Sequence, residues 1–303
     1  MADSAQVVPR PGEAELVAPC GASHDDVRKL VLSTQDLPAM PPVASKVLEL
    51  SRDPNTSAAK LQQVISDDQA MAARILKIAN SAMYMRSRKM KTLTEAIVML
   101  GFNSIRDLVV TSAARNLYAA NEVRMGLKER LLWEHSIGAA CACRLLVQAE
   151  SPQLAEEAFL AGLLHDIGKL VLNQQAADRF DEIVQAVYNE NKRFAETERD
   201  MLGFDHAEVG ALLVNKWKLS PLLESIIARH HRPECFSADN LLLLYLDLAN
   251  RICHQQGIGF VHDESIELVD CDASRILGFT AEQLADVAGK LRKTLEAEME
   301  IFV

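Results

Sequence analysis

The stretch Leu163-Leu164-His165-Asp166-Ile167-Gly168-Lys169 sets the terms for any fold of this chain. An apolar run of this kind belongs in a core, and it carries two ionisable groups in with it. Such groups are costly to bury unless they pair with each other or hold a metal. His135, His206, His230, His231 and Asp247 stand at comparable apolar-flanked positions, and six of the eight histidines fall between residues 135 and 254. The clustering reads as a metal site or the remnant of one, and the choice decides whether the chain is an enzyme.

At 303 residues the chain has material for one large domain or two smaller ones. Aromatic residues are only 5% of the sequence, and the prevalence of Leu and Ala favours helix over strand. The net charge of −10 disfavours nucleic acid, because a duplex-binding surface needs a basic face. One local basic run, Met83 to Lys91 with Arg86, Arg88, Lys89 and Lys91, reads as a solvated loop. The opening Met1-Ala2-Asp3-Ser4 is not a basic region followed by an apolar segment, and the longest apolar run, Leu241 to Leu246, is far short of a membrane span. The expectation is a cytoplasmic chain with no membrane segment. Cys20, Cys141, Cys143, Cys235, Cys253 and Cys271 form no C-x-x-C pair and read as reduced thiols.

Residues 1–24, with Pro9, Pro11, Gly12, Pro19 and Gly21, read as a mobile tail. From about Asp25 the pattern is helical and heavily punctuated, with no strand expected. Ser57, Asp67 or Asp68, Thr92, Asn103, Asp205, Ser220, Asp239 and Thr280 are the expected N-caps. Gly101 ends a short helix, a long one runs from about Gly126 to Gln148, and another runs from Pro152 through the His-Asp doublet. Residues 258–271 are ambiguous and could hold a short extended piece.

Adjacent His and Asp on a helix point about 100° apart, so both reach one wall of a cavity. Mixed nitrogen and oxygen donors suit a divalent transition metal, with iron or manganese favoured and zinc, nickel or cobalt also accommodated. The smallest ligand set is His135, His165, Asp166 and Asp247, from three helices. His206, His230 and His231 would permit a second metal, with Asp166 as the bridge. Lys169, one turn after Asp166, could face a phosphate oxygen, which makes Asp166 and Lys169 the candidate catalytic pair. Each residue also has a plainer role open to it. His206 could merely follow its Asp205 cap, His230 and His231 could favour a helix C-terminus, and Lys169 could be solvated.

The motifs Leu37-Pro38-Ala39-Met40-Pro41, Ile65-Ser66-Asp67-Asp68, Ile75-Leu76-Lys77-Ile78-Ala79-Asn80-Ser81 and Ile97-Val98-Met99-Leu100-Gly101 together resemble the HDOD family, the output domain related to HD phosphohydrolases. The resemblance covers about residues 30–250. It implies an all-α fold in which an HD-like helical bundle packs against an N-terminal helical subdomain. The corresponding divisions are a tail over 1–24, the N-terminal subdomain over 25–120, the HD-like subdomain over 121–257 and a helical extension over 258–303. It also implies a bacterial signalling or regulatory module.

Many members of that family have lost the metal-binding residues of true HD enzymes, whereas this chain keeps His135, His165, Asp166 and Asp247 in HD order. His206 and the His230-His231 pair follow in an order similar to the HD-GYP cyclic-di-GMP phosphodiesterases. Against that, His231 is followed by Arg232-Pro233-Glu234 rather than Gly-Tyr-Pro, and Leu131 stands where a glutamate is usual.

Two functions follow as expectations. One is a module acting through a protein partner, with metal in a structural role; regulation could also come from a ligand or from a homodimer. The other is a metal-dependent phosphohydrolase acting on a nucleotide or cyclic dinucleotide. The mouth of the cavity discriminates them. An enzyme needs an open position at the metal and cations for phosphate, for which Lys169, Arg229 and Arg232 are candidates. A site closed under packed apolar side chains favours the first.

Overall fold

A computed structural model of the chain describes Lys29 and residues 37–81, 84, 89–118, 126–148, 150–190 and 192–302. The tail over 1–24, the basic Arg86 and Arg88, and the boundary at residue 120 lie outside the described residues.

Local capping starts many of the helices. Helix α1 (Pro42–Ser51) opens with proline at its first position, where no amide donor is needed. Ser57 caps α2 (Ala58–Ser66) and Asp68 caps α3 (Gln69–Ala79), each accepting from the amide three residues on. Thr92 Oγ1 accepts from Glu95 N at 3.1 Å and opens α4 (Leu93–Tyr118). Gly101 breaks α4 at φ +81°, in keeping with the expected end of a short helix there.

An 18-residue window of α4 is long and apolar enough to cross a membrane, although polar residues interrupt it. Most of it is buried, packed on α1, α2 and α3 and on α6 of the bundle. A helix apolar on all sides belongs in such a core position.

The bundle is built from α5 (Leu127–Gln148), α6 (Ala155–Leu164), α7 (Ile167–Gln175), α8 (Ala177–Glu190), α9 (Phe194–Leu202), α10 (His206–Lys216), α11 (Pro221–Arg229) and α12 (Leu241–Gln255). Helix α5 is its axis, packed on α6 and α12 and backed by the last helix, α14 (Ala281–Phe302). The short α13 (Asp272–Leu277) packs on α12, and α14 also touches α3. Residues 258–271 form no strand, and none occurs among the described residues. The expected Asp239 cap is not made: Asn240 precedes α12 without a side-chain cap bond.

A buried polar network joins the N-terminal helices to the bundle. Arg144 on α5 lies between the rings of Tyr84 and Phe159, 4.5 and 4.6 Å from their centroids. It donates to Glu156 on α6 at 2.8 Å. Glu156 also accepts from Ser104 on α4 at 3.1 Å, beside the Arg106–Asp107 pair. Cys141, Cys143, Cys235, Cys253 and Cys271 are free thiols, as their spacing predicts.

Candidate metal centre

The helix expected to run through the doublet does not do so. Helix α6 ends at Leu164, α7 begins at Ile167, and His165 and Asp166 form the corner between them. Asp166 has φ −99° and ψ 8°, a conformation that turns the chain. The corner lets α7 pack on α10, and that packing is close. A methyl group at Gly168 would lie 2.0 Å from the carbonyl oxygen of His206. Asp166 occupies the N-cap position of α7, yet its side chain makes no cap bond. An aspartate normally caps from there; this one is turned inward instead.

Histidines from several elements converge on that carboxylate. His206 Nε2 lies 3.0 Å from Asp166 Oδ1, and His230 Nε2 lies 3.8 Å from the same oxygen. His135 Nε2 and His165 Nε2 each lie 3.5 Å from Oδ2. His231 Nε2 faces His206 Nε2 at 2.9 Å. Asp166, His206, His230 and His231 therefore make one group of potential ligands, and His135, His165 and Asp166 make another.

The outer nitrogens fix what the inner ones present. His135 Nδ1 is 3.0 Å from Ile258 O, His165 Nδ1 is 2.8 Å from Gly162 O, and His230 Nδ1 is 2.7 Å from Ile227 O. A carbonyl only accepts, so each Nδ1 carries the proton and each Nε2 offers a lone pair. His206 does the same through Glu198 Oε2, 2.5 Å from Nδ1; that oxygen also accepts from the His206 amide at 2.8 Å. Outer acceptors of this kind are what orient metal-bound histidines.

The donor set fits a metal. His135 Nε2, His165 Nε2 and His230 Nε2 are buried with no hydrogen-bond partner among the described residues. Lone pairs buried together and facing a carboxylate require a cation or a proton. With metal–nitrogen bonds of about 2.0–2.1 Å, neighbouring ligands stand about 3.0–3.4 Å apart, which is close to the spacings above. Without a metal the charge falls on His206. Burial disfavours its charged form, but Glu198 and Asp166 outweigh burial and hold its pKa up to about 9. Burial drives His165 well down. For Asp166 burial is outweighed by the charges of Lys169 and His206, which hold it well below the usual carboxylate range.

Two expected residues behave differently from the rest. Asp247 stays apart from the cluster: its Oδ2 accepts from Arg251 Nε at 2.7 Å, and it belongs to neither ligand group. The α12 residue that does approach the site is His254. The His254 ring stacks on His135 at 5.3 Å, and burial depresses its pKa to about 3. Lys169 is buried; its Nζ lies 2.6 Å from Asp166 Oδ2 and 4.6 Å above the Phe194 ring. That engages the ammonium with Asp166, although a carboxylate oxygen has a second lone pair to offer.

Arg229 faces a different groove, between α11 and α12, where it bonds Ser225 O, and Arg232 is exposed. Sequence reasoning also passed over Glu198, which sits in the charged run Glu196-Thr197-Glu198-Arg199-Asp200 and looks solvated there.

The way in is narrow. The cavity touching Asp166, Lys169 and His135 measures about 10 Å³, room for a single water. Leu132, Phe194, His254, Phe260 and Val261 wall it.

Known proteins share this architecture. An HDOD domain protein from Geobacter sulfurreducens has the same fold, with a TM-score of 0.72 at 22% identity over 91% of this chain and 94% of that one. A Shewanella amazonensis protein named "Putative phosphohydrolase" superimposes with a TM-score of 0.70 at 26% identity, covering 91% of this chain and 96% of that one. An uncharacterized protein of Treponema pallidum is 26% identical over 206 residues, which span 65% of this chain and 38% of that longer protein. The HDOD domain profile matches residues 37–233, which carry Asp166 and all five histidines grouped around it, and the chain belongs to the HDOD family.

Proposed function

We propose that the chain is a bacterial signalling and regulatory HDOD module. Its HD-type centre binds one or two divalent transition metals, iron or manganese by preference, as part of its core, and it acts through a protein partner. The small size of the cavity at Asp166 carries this reading. Of the six potential ligands, only His135 and Asp166 line the adjoining cavity, and its volume of about 10 Å³ leaves no room for a phosphate ester at Asp166. The nearest cation, Lys169, is held by Asp166 itself. A metal here would tie α5, the α6–α7 corner, α10 and the end of α11 together, so its occupancy bears on the shape that a partner meets.

A second reading, a phosphohydrolase of nucleotides or cyclic dinucleotides, is favoured by one observation: Asp166 presents its two oxygens to two separate ligand groups. Bound metal would supply Lewis acidity for phosphoryl transfer. The Shewanella relative's name points the same way.

Elemental analysis of untagged protein, beside Asp166→Ala and after anaerobic reconstitution with iron or manganese, tests both readings. The first expects one or two metals per chain, lost in the variant, with no turnover of cyclic-di-GMP or bis(4-nitrophenyl) phosphate. Turnover that disappears in Asp166→Ala establishes the second. Equal metal content in variant and wild type removes Asp166 from the ligand set.

A further inference from the structure

One wall of the cavity differs from the others. Leu132, Asp166, Lys169, Phe194 and His254 stand on helices or at a helix corner, whereas Phe260 and Val261 belong to a stretch with no regular structure between α12 and α13. Backbone bonds hold that stretch at its ends, where Gly257 N donates to His254 O at 3.2 Å, Ile258 N to Cys253 O at 2.9 Å and Asp263 N to His254 O at 3.0 Å. Between them, Gly259, Phe260 and Val261 donate no backbone–backbone bond among the described residues.

The same stretch supports a ligand. Ile258 O is the acceptor that fixes His135 Nδ1. Gly259, at φ +98°, lays its backbone against the imidazole, and a Cβ there would stand 2.7 Å from His135 Cβ and 3.3 Å from Nδ1. An L side chain is therefore excluded twice, by the backbone conformation and by the ring. Ile258 seats the segment on α5, since a Cβ at Gly138 would meet its Cγ2 at 2.7 Å. One residue after Gly259, Phe260 closes over Asp166 and faces Phe194 at 6.1 Å.

We propose that residues 257–261 are both the gate of the metal centre and the positioning support of His135, so that opening the centre to solvent loosens its metal. This rests on the metal-binding reading above. Swinging Phe260 and Val261 outward carries the Ile258 carbonyl and the Gly259 backbone with them. His135 then loses its outer acceptor and its packing surface together. Access and retention oppose each other, and the metal beside His135 and His165 is the one affected.

Two variants of the full chain separate the two roles, with manganese as the probe and transfer to a chelator as the readout. Phe260→Ala opens the roof and leaves the Ile258 carbonyl in place. It is expected to speed transfer at least about tenfold with equilibrium affinity unchanged. Gly259→Ala displaces the support, and its equilibrium affinity is expected to fall about 10–100-fold, the usual cost of an outer-shell loss. If Gly259→Ala fails to fold, Phe260→Ala decides alone. A metal-loaded wild type matched by Phe260→Ala in rate, or by folded Gly259→Ala in affinity, overturns the gate and leaves the metal reading standing. A wild type that takes up no metal after reconstitution overturns both.

Discussion

Glu198 shows how much of this centre rests on a side chain that never touches the candidate metal position. Its Oε2 receives both the amide and the Nδ1 proton of His206, at a helix N-terminus where the amide has no intrahelical partner. The buried carboxylate thereby fixes the ring and makes Nε2 more basic. Glu198→Gln keeps the shape and one acceptor oxygen but removes the charge. Metal affinity is expected to drop about 10–100-fold, read by competition with a chelator. In metal-free protein the His206 pKa, held up to about 9 chiefly by Glu198 against burial, moves downward; an imidazole NMR titration reads that shift. An unchanged affinity together with an unchanged titration would reduce Glu198 to a helix-capping role.

At the scale of the element, the corner between α6 and α7 decides whether the donors meet. Gly168→Ala tests it: the new methyl would stand 2.0 Å from His206 O and 2.9 Å from Gly210 N, so α7 and α10 must part. Overpacking of this kind typically costs about 1–3 kcal/mol. Urea denaturation should show that loss, with metal content falling alongside it; full stability with full metal content would mean that α10 shifts without consequence for the centre.

The corner also marks the limit of what the sequence discloses. Ser57, Asp68, Thr92, Asp205, Ser220 and Thr280 are legible as caps because each bonds an amide three residues away, and such a bond needs no tertiary partner. Nothing in the sequence marks the break at His165-Asp166, because the helical pattern continues through it; packing of α7 on α10 turns the chain. The histidines were recognisable as costly to bury. Which face of α12 meets them was not, because that depends on how the helix is rotated in the bundle. Asp247 stands out in the sequence for its charge, while His254, two turns further on, stacks on His135.

For the molecule as a whole, the polar seam between the N-terminal helices and the bundle makes stability depend on pH. Asp107 on α4 is wholly buried. Burial first, and then the neighbouring Glu156 carboxyl, outweigh Arg106 and Arg144 and push its pKa well above the ordinary value. Glu156 is shifted the other way: burial opposes its charge, but a hydrogen bond from Asp107 and the charge of Arg144 prevail. One proton shared by two carboxyls accounts for both shifts.

In the unfolded chain an aspartate loses its proton near pH 4. Above that value the folded protein holds a proton that the unfolded chain does not. The contribution of Asp107 is therefore complete below pH 4 and is lost as pH climbs toward its folded value, at up to about 1.4 kcal/mol per pH unit. Asp107→Asn keeps a donor for Glu156 and cannot ionise. Wild type is expected to lose Tm relative to the variant as pH climbs above about 5, and the variant becomes the more stable of the two once Asp107 has ionised. Parallel profiles would mean that Asp107 is ionised throughout and that Arg106, 3.1 Å away, balances its charge. The seam would then be a salt-bridge network, and Asp107→Asn, leaving the partly buried Arg106 without its counter-ion, would be the less stable protein at every pH.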